Sequence, residues 1–148
     1  MLINAAGLDF QELNQIIRES SDQDVVIENC LGQRYIGSGL SGRTITILGT
    51  PGNALGAYMN GSRIIVKGNA QDATGDTMNE GTIFIHGSAG DAVGYAMRGG
   101  RIYVEGDTGY RAGIHMKAYQ EKKPVLVVGG AAGSFLGEYQ AGGLIAVL

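Results

Sequence analysis

This 148-residue chain lacks several features, and each absence excludes a class of protein. Cys30 is the only cysteine, so no disulfide can form within the chain, and the sequence suits a reducing compartment. No apolar run approaches the roughly 20 residues of a membrane span, and the first residues lack the basic start of a signal peptide. The formal charge of −3 provides no basic field for a nucleic-acid backbone. We therefore expect a cytoplasmic protein that binds neither nucleic acid nor membrane.

Glycine is abundant, whereas proline occurs twice and tryptophan not at all. The chain has 26 glycines, far above the usual share of about 7%. Strict Gly-X-Y spacing is absent and aliphatic residues are plentiful, which excludes collagen and a disordered glycine-rich tract. Tight turns repeated many times are the expected cause. The length is that of one domain, so we predict a single domain over residues 1–148.

The glycines recur at a period of 19 residues. Gly37, Gly56, Gly75, Gly94 and Gly113 form one series, which resumes at Gly137 after an interval of 24. A second series, with the same long interval at its end, consists of Gly49, Gly68, Gly87, Gly106 and Gly130. Both series therefore meet one insertion of five residues between residues 114 and 124, in the segment around Ala118–Lys123.

Short apolar segments recur in step with the glycines and predict strands. They are Val25–Ile27, Ile45–Ile47, Ile64–Val66, Ile83–Ile85, Ile102–Val104, Leu126–Val128 and Ile145–Val147. A 19-residue repeat is too short for a strand–helix–strand unit of about 30 residues, so each repeat returns by turns alone. The sequence predicts an all-β fold, a parallel β-helix of six to seven coils stacked about 4.8 Å apart.

The strand register predicts which side chains face the core. Residues two apart, such as Ile64 and Val66, point inward. A column of methionines at the same period is expected to fill the core; it comprises Met59, Met78, Met97 and Met116. The register places several charged or polar residues outside this inward-facing set: Arg63, Lys67, His86, Arg101 and Glu105.

Residues 1–22 differ in kind from the solenoid predicted over 23–148. Asp9 is followed three residues later by Glu12, and Phe10, Leu13 and Ile17 form a helical stripe, so we predict a capped helix over residues 9–20. This helix would lie over the first coil or along its side. The other end is an apolar strand, Leu144–Leu148, which we expect a partner, a second copy or further residues to cover.

Two glycine-rich stretches resemble nucleotide-binding motifs only superficially. Gly37–Gly42 matches G-x-G-x-x-G, but the strand that begins near Arg43 stands where that motif requires a helix. The Gly49–Gly56 and Gly129–Gly137 loops lack the Gly-Lys-Ser/Thr of a P-loop. We interpret all of them as turns of the repeat.

The sequence offers little evidence for a metal site or a catalytic site. His86 and His115 belong to different columns, and with a single thiol no zinc-ligand spacing exists. Asp91 and Ser134 could join His115 as a triad only if unrelated positions met in space. The sequence therefore predicts no catalytic, metal-binding or cofactor-binding residue.

One column of the repeat contains two carboxylates, Asp72 and Asp91. Asn53, Tyr110 and Ser134 occupy the same column in other coils. Stacked carboxylates can bind calcium in repeat proteins, but the glycine–aspartate nonapeptide of such proteins does not recur. We favour turn-forming side chains and keep calcium as the alternative.

The two glycine series combine into the pattern G-x-x-G-x-x-x-G. It occurs at Gly49-Gly52-Gly56, Gly87-Gly90-Gly94, Gly106-Gly109-Gly113 and Gly130-Gly133-Gly137, while one coil keeps Gly68 and Gly75 but has Gln71 between them. This pattern resembles the repeat of the C-terminal GXGXG β-helix domain of the glutamate synthase large subunit. The resemblance runs from about Val25 to Leu148 and is most specific at residues 109–117 and 135–143.

The resemblance implies a right-handed β-helix that acts as a structural scaffold and holds no flavin, iron–sulfur or glutamine site. In that family the active residues lie in separate amidotransferase and FMN-binding synthase domains. It therefore implies a non-catalytic subunit of a glutamate synthase-like complex, an oxidoreductase that makes glutamate from glutamine and 2-oxoglutarate, with FMN and iron–sulfur groups in partner subunits.

Two alternatives stay open from the sequence. One is the solenoid subunit of a formylmethanofuran dehydrogenase-like oxidoreductase, which is similar in repeat and serves a molybdenum or tungsten enzyme. The other is a homo-oligomeric module that binds its own small ligand around the insertion at Ala118–Lys123.

Overall fold

The computed structural model describes all residues, 1–148, as one parallel eight-stranded sheet and one helix. The elements are β1 (Leu2–Asn4), α1 (Phe10–Glu19), β2 (Asp24–Leu31), β3 (Thr44–Thr50), β4 (Asn60–Val66), β5 (Glu80–Ile85), β6 (Arg101–Val104), β7 (Val125–Val128) and β8 (Leu144–Val147). Each strand pairs in parallel with the next one along the chain. The chain therefore winds as a β-solenoid of about seven turns, which confirms the predicted fold class.

The strand register follows the spacing of the sequence repeat. Ile45, Ile64, Ile83 and Ile102 are successive partners, 19 residues apart, and all four are fully buried. Ile102 then pairs with Leu126, 24 residues on, because the insertion lies between these strands. The methionine column is also fully buried in this core, as predicted. Stacked equivalent side chains thus remove the apolar surface that a single coil would leave in water.

The first turn of the solenoid is built differently from the others. β1, which the sequence analysis did not predict, pairs with β2 in parallel, and α1 connects them in place of turns. The predicted capping box is present: Asp9 Oδ1 accepts from the Glu12 N–H at 2.8 Å, and the Glu12 carboxylate accepts from the Asp9 N–H at 3.3 Å. Leu13 and Ile17 are fully buried. No helix of the chain is both long and apolar enough to cross a membrane.

Two polar contacts fix α1 to the next coil, one made by an arginine of that coil and one by an asparagine of the helix itself. The Arg43 guanidinium donates to the carbonyl oxygens of Ile17, at 2.9 Å, and of Ser20. These are carbonyls at the end of the helix, where intrahelical donors run out. Nearer the start, the Asn14 amide donates to the carbonyl oxygen of Arg34 at 3.0 Å. The helix is therefore fixed against the solenoid by polar contacts as well as by its apolar stripe.

Gln33 occupies the position of the middle motif glycine in the first coil. Its amide donates to the carbonyl oxygens of Ala5 (3.1 Å) and Leu8 (3.0 Å), and its Oε1 accepts from the Leu31 N–H at 2.7 Å. The side chain is 8% exposed. The departure from glycine thus supplies a buried amide that connects the segment before α1 to the first coil.

Candidate functional site

Each full turn of the repeat contains three residues whose backbone has the left-handed conformation, with φ positive. Successive members of the three are two positions apart in the chain. In one coil these are Ala73 (φ 58°), Gly75 (φ 70°) and Thr77 (φ 51°). The N–H groups of Ala73 and Thr77 donate to carbonyls of the following coil, whereas that of Gly75 donates to a carbonyl of the preceding coil. The turn is therefore hydrogen-bonded on both sides, and its backbone groups are satisfied without solvent.

The glycine between the two outer left-handed residues faces the core. A Cβ at Gly56 would lie 2.6 Å from Ile83 Cδ1, and one at Gly37 would lie 2.7 Å from Ile64 Cδ1. Gly75 and Gly113 are in the same situation against isoleucine side chains. In these four coils the position favours glycine for its space as well as for its backbone conformation, whereas the nearest atom to a Cβ at Gly94 would be at 3.5 Å.

The aspartate column forms a ladder of side-chain to backbone hydrogen bonds. Asn53 Oδ1 accepts from the Asp72 N–H (3.0 Å), Asp72 Oδ1 from the Asp91 N–H (2.7 Å), and Asp91 Oδ1 from the Tyr110 N–H (2.8 Å). The side chains act as turn formers, as the favoured interpretation predicts. No three His, Cys, Asp or Glu side chains come close enough together to hold a metal ion.

A second ladder runs parallel to the first. Asn69 Oδ1 accepts from the Ser88 N–H, Ser88 Oγ from the Asp107 N–H, and Asp107 Oδ1 from the Ala131 N–H, at 2.7–2.9 Å. Sequence reasoning missed this ladder, although its residues share the 19-residue spacing. Together the two ladders link five consecutive coils through polar side chains.

Glycines of the motif leave room for these ladders. A Cβ would collide with an oxygen of the coil below at Gly87 (Asn69), Gly90 (Asp72), Gly106 (Ser88), Gly109 (Asp91) and Gly130 (Asp107). Four others, Gly49, Gly52, Gly68 and Gly133, lie against a backbone carbonyl of that coil. The G-x-x-G half of the motif therefore permits close stacking, and its last glycine permits the left-handed turn over the core.

The two histidines lie on different faces, as their columns predict. His86 is on the outer face of the sheet, where its ring nitrogens lie 3.4 Å from Lys67 Nζ and 3.2 Å from the Glu105 carboxylate. His115 lies in the turns and stacks on the ring of Tyr139, with centroids 4.9 Å apart. Both side chains are exposed; His86 is bonded to its neighbours, whereas His115 makes ring contacts only. His115 makes no hydrogen bond to either of the other residues considered for a triad.

An apolar stripe crosses the outer face of the sheet. It consists of Ile65, Phe84, Tyr103 and Val127, which are register partners on β4–β7 and are only partly buried. The rings of Phe84 and Tyr103 have centroids 5.9 Å apart and border a groove of about 230 Å³. Sequence reasoning did not single out this sheet-face stripe, although the second residue of each apolar triplet carries it. Because its apolar side chains are contiguous and reach the surface, the stripe is a candidate interaction surface.

The stripe has a cationic border on one side and a neutral one on the other. Arg63 and Arg101, two residues before the stripe positions, are exposed, and Lys123 lies beside Arg101 in a polar depression of about 320 Å³. On the opposite side the charges of Lys67 and Glu105 flank His86 and compensate each other. We call Arg63, Arg101 and Lys123 the basic flank.

The insertion folds against the solenoid. Tyr119 and Lys122 exchange two backbone hydrogen bonds across a tight turn, and the Arg98 guanidinium lies 3.9 Å from the Tyr119 ring centroid. Lys122 Nζ is 2.8 Å from the Glu80 carboxylate. Glu80 lines the same depression as Arg101 and Lys123, and its carboxylate is paired with Lys122.

A second candidate surface is formed by aromatic residues on the turns. Tyr58, Phe135 and Tyr139 are left-handed and 54–69% exposed, and Tyr110 is 56% exposed. Bulky side chains in this backbone region are uncommon, and aromatic residues are enriched at protein interfaces. The turn-face aromatics are therefore a second surface on which a partner could pack.

The molecule is thus a β-solenoid domain whose motif glycines and ladders serve coil stacking. The chain belongs to the GXGXG motif family, whose model matches residues 15–148. The GXGXG domain is related to glutamate synthase, an oxidoreductase.

The chain is also similar to a protein of Methanocaldococcus jannaschii that is described as uncharacterized. The two are 52% identical over 155 aligned positions, which cover 100% of this chain and 59% of that protein. The chain therefore spans about three-fifths of the length of the curated relative it matches. No solved structure gives a significant match.

Proposed function

We propose that this chain is a structural scaffold subunit of a glutamate synthase-like complex. Amidotransferase and FMN-binding synthase polypeptides would carry the chemistry that converts glutamine and 2-oxoglutarate to glutamate, and FMN and iron–sulfur groups would be held by these partners. The observation that carries the proposal is the GXGXG family match over residues 15–148. The role is structural rather than catalytic, and it is exercised in the cytoplasm.

The use of polar groups within the fold supports a structural role. In both ladders the side-chain oxygens accept hydrogen bonds from the next coil, and the motif glycines provide the space for these oxygens. Burial raises the pKa of the Cys30 thiol to about 11, so this lone thiol is protonated at neutral pH and is a poor nucleophile. The partly buried sheet-face stripe and the exposed turn-face aromatics, by contrast, are suited to binding other polypeptides.

Affinity capture from the organism's own cells tests the proposal. The tagged chain is recovered, co-purifying proteins are identified by mass spectrometry, and an absorbance spectrum of the eluate is recorded. We expect an FMN-binding synthase with its flavin absorbance and a glutamine amidotransferase, both absent when an unrelated protein with the same tag is used. Recovery of the chain alone, colourless and as a defined oligomer, would contradict the proposal. Recovery of molybdopterin-binding subunits would instead favour the formylmethanofuran dehydrogenase alternative.

A further inference from the structure

We infer that the polar depression beside the insertion is a binding site for a small phosphate monoester. The depression, of about 320 Å³, is lined by Glu80, Gly81, Thr82, Gly100, Arg101 and Lys123. It lies at the insertion, where the sequence left a small-ligand site open as an alternative. Such a site goes beyond the scaffold role and does not depend on it.

The insertion contributes one of the two unpaired cations of this depression, Lys123. Just before it in the chain, Lys122 Nζ lies 2.8 Å from the Glu80 carboxylate. Just after it, the Val125 N–H donates to the carbonyl oxygen of Gly100 at 3.0 Å. Glu80 and Gly100 both line the depression. The insertion is therefore anchored to the depression on each side of Lys123.

The depression is cationic within a chain of net negative charge. Arg101 and Lys123 are exposed and form no ion pair, although the formal charge of the chain is −3. Glu80 is the one carboxylate in the lining, and Lys122 is paired with it. Arg63, on the neighbouring strand β4, adds a further exposed cation to the same face. Unpaired cations around a concave site raise the local concentration of small anions.

The donors in the lining match a phosphate group better than a carboxylate. Besides the cations of Arg101 and Lys123, the Thr82 hydroxyl and the Gly100 N–H have no hydrogen-bond partner within the chain. A phosphate monoester carries a charge of about −1.5 to −2 at pH 7 and three strong acceptor oxygens. A carboxylate carries a single charge and two oxygens. Two cations and two neutral donors are therefore used more fully by a phosphate group.

The size and polarity of the depression limit the rest of the ligand. No hydrophobic side chain lines it, so it offers no apolar platform for a nucleobase or an acyl chain. Its volume of about 320 Å³ is at the lower end of the range for ligand sites, about 300–1,000 Å³. A phosphate group with a short polyol or sugar-like remainder suits both properties.

An NMR titration of the nitrogen-15-labelled chain with glycerol 3-phosphate tests this site. We expect saturable shifts of the backbone amides centred on Thr82, Gly100 and Arg101, with a dissociation constant below about 1 mM at low salt. Arg101→Gln and Lys123→Gln should each weaken binding by about tenfold, because each removes a charge-assisted hydrogen bond. Arg111→Gln, which removes an exposed cation on the turns, is the matched control and should weaken binding by less than about twofold.

Several results would overturn the site. These are shifts that do not saturate below about 10 mM, shifts centred outside the depression, and equal weakening by Arg101→Gln and the control. Equal affinity for acetate would overturn phosphate as the ligand class, and equal affinity for inorganic phosphate would assign the free ion and overturn the monoester. If Arg101→Gln does not fold, Lys123→Gln decides, since Lys123 lies outside the strands. None of these results bears on the scaffold role, which affinity capture tests separately.

Discussion

The carboxylate of Asp72 accepts a hydrogen bond from the backbone N–H of Asp91, at 2.7 Å, although 19 residues separate them in the chain. The two residues hold the same place in successive coils. Asp91 repeats the contact one coil further on, and a glycine next to each acceptor leaves room for it. Polar side chains thus contribute to coil stacking alongside the strand ladder.

Removing one ladder acceptor should lower stability, whereas replacing it by an isosteric acceptor should not. Asp91→Ala leaves the Tyr110 N–H without its partner, and we expect a loss of about 1 kcal/mol in the free energy of unfolding. Asp91→Asn keeps Oδ1 and should stay within about 0.5 kcal/mol of wild type. Urea denaturation measures both. Equal losses in the two variants would show that charge, not the hydrogen bond, matters at this position.

The glycine that faces the core should tolerate alanine far less well than an outward glycine of similar backbone conformation. Gly75 and Gly39 have φ of 70° and 68°, but a Cβ at Gly75 would collide with Ile102, whereas none would meet anything within 4 Å at Gly39. We expect Gly39→Ala to cost about 1 kcal/mol through backbone strain. Gly75→Ala should cost a further ~1–3 kcal/mol through overpacking. Similar unfolding midpoints for the two variants would contradict this account of the motif.

Arg43 should control the local stability of α1. Arg43→Lys replaces a planar guanidinium, which reaches the carbonyls of Ile17 and Ser20 together, by a single ammonium. The loss of about 1 kcal/mol predicts roughly fivefold faster amide hydrogen exchange across Phe10–Glu19, with the coils beyond β4 unchanged. Arg63→Lys, at an exposed arginine, is the matched control and should leave the helix unaffected. Uniform acceleration in every coil would contradict a local role.

Cys30 should make the protein less stable at alkaline pH. Burial raises the pKa of its thiol from 9.0 to about 11 in the folded chain. As the pH rises through this interval, the unfolded thiol loses its proton before the folded one does, so the free energy of unfolding falls. This contribution is complete below about pH 9 and lost above about pH 11. Cys30→Ala should remove it, which a comparison of the two pH profiles by chemical denaturation tests; superimposable slopes would refute it.

Repetition made most of the solenoid predictable from the sequence. The seven apolar triplets all lie in strands, because each is reinforced by equivalents at fixed spacing in the neighbouring coils. The capping box of α1 was also predictable, since Asp9 and Glu12 act locally. β1 was not, because it is three residues long and lies outside the periodic region.

The repeat could not predict contacts between residues that occupy different positions in their coils. The hydrogen bonds of Arg43 to the end of α1 join residues from two unrelated segments. Left-handed conformations at alanine and tyrosine, as at Ala54 and Tyr58, were hidden because sequence reasoning assigns such geometry to glycine. The sheet-face stripe was overlooked because its members, such as Ile65 and Phe84, share a column without sharing a residue type.

The central claim, that this chain scaffolds two catalytic partners, is tested most directly by the mass of the reconstituted assembly. The chain, the FMN-binding synthase polypeptide and the amidotransferase polypeptide are purified separately, mixed in equal amounts and passed through size-exclusion chromatography with light scattering. We predict one species that contains all three polypeptides and that is lost when the chain is left out. Assembly of the two partners to the same extent without the chain would contradict the scaffold role.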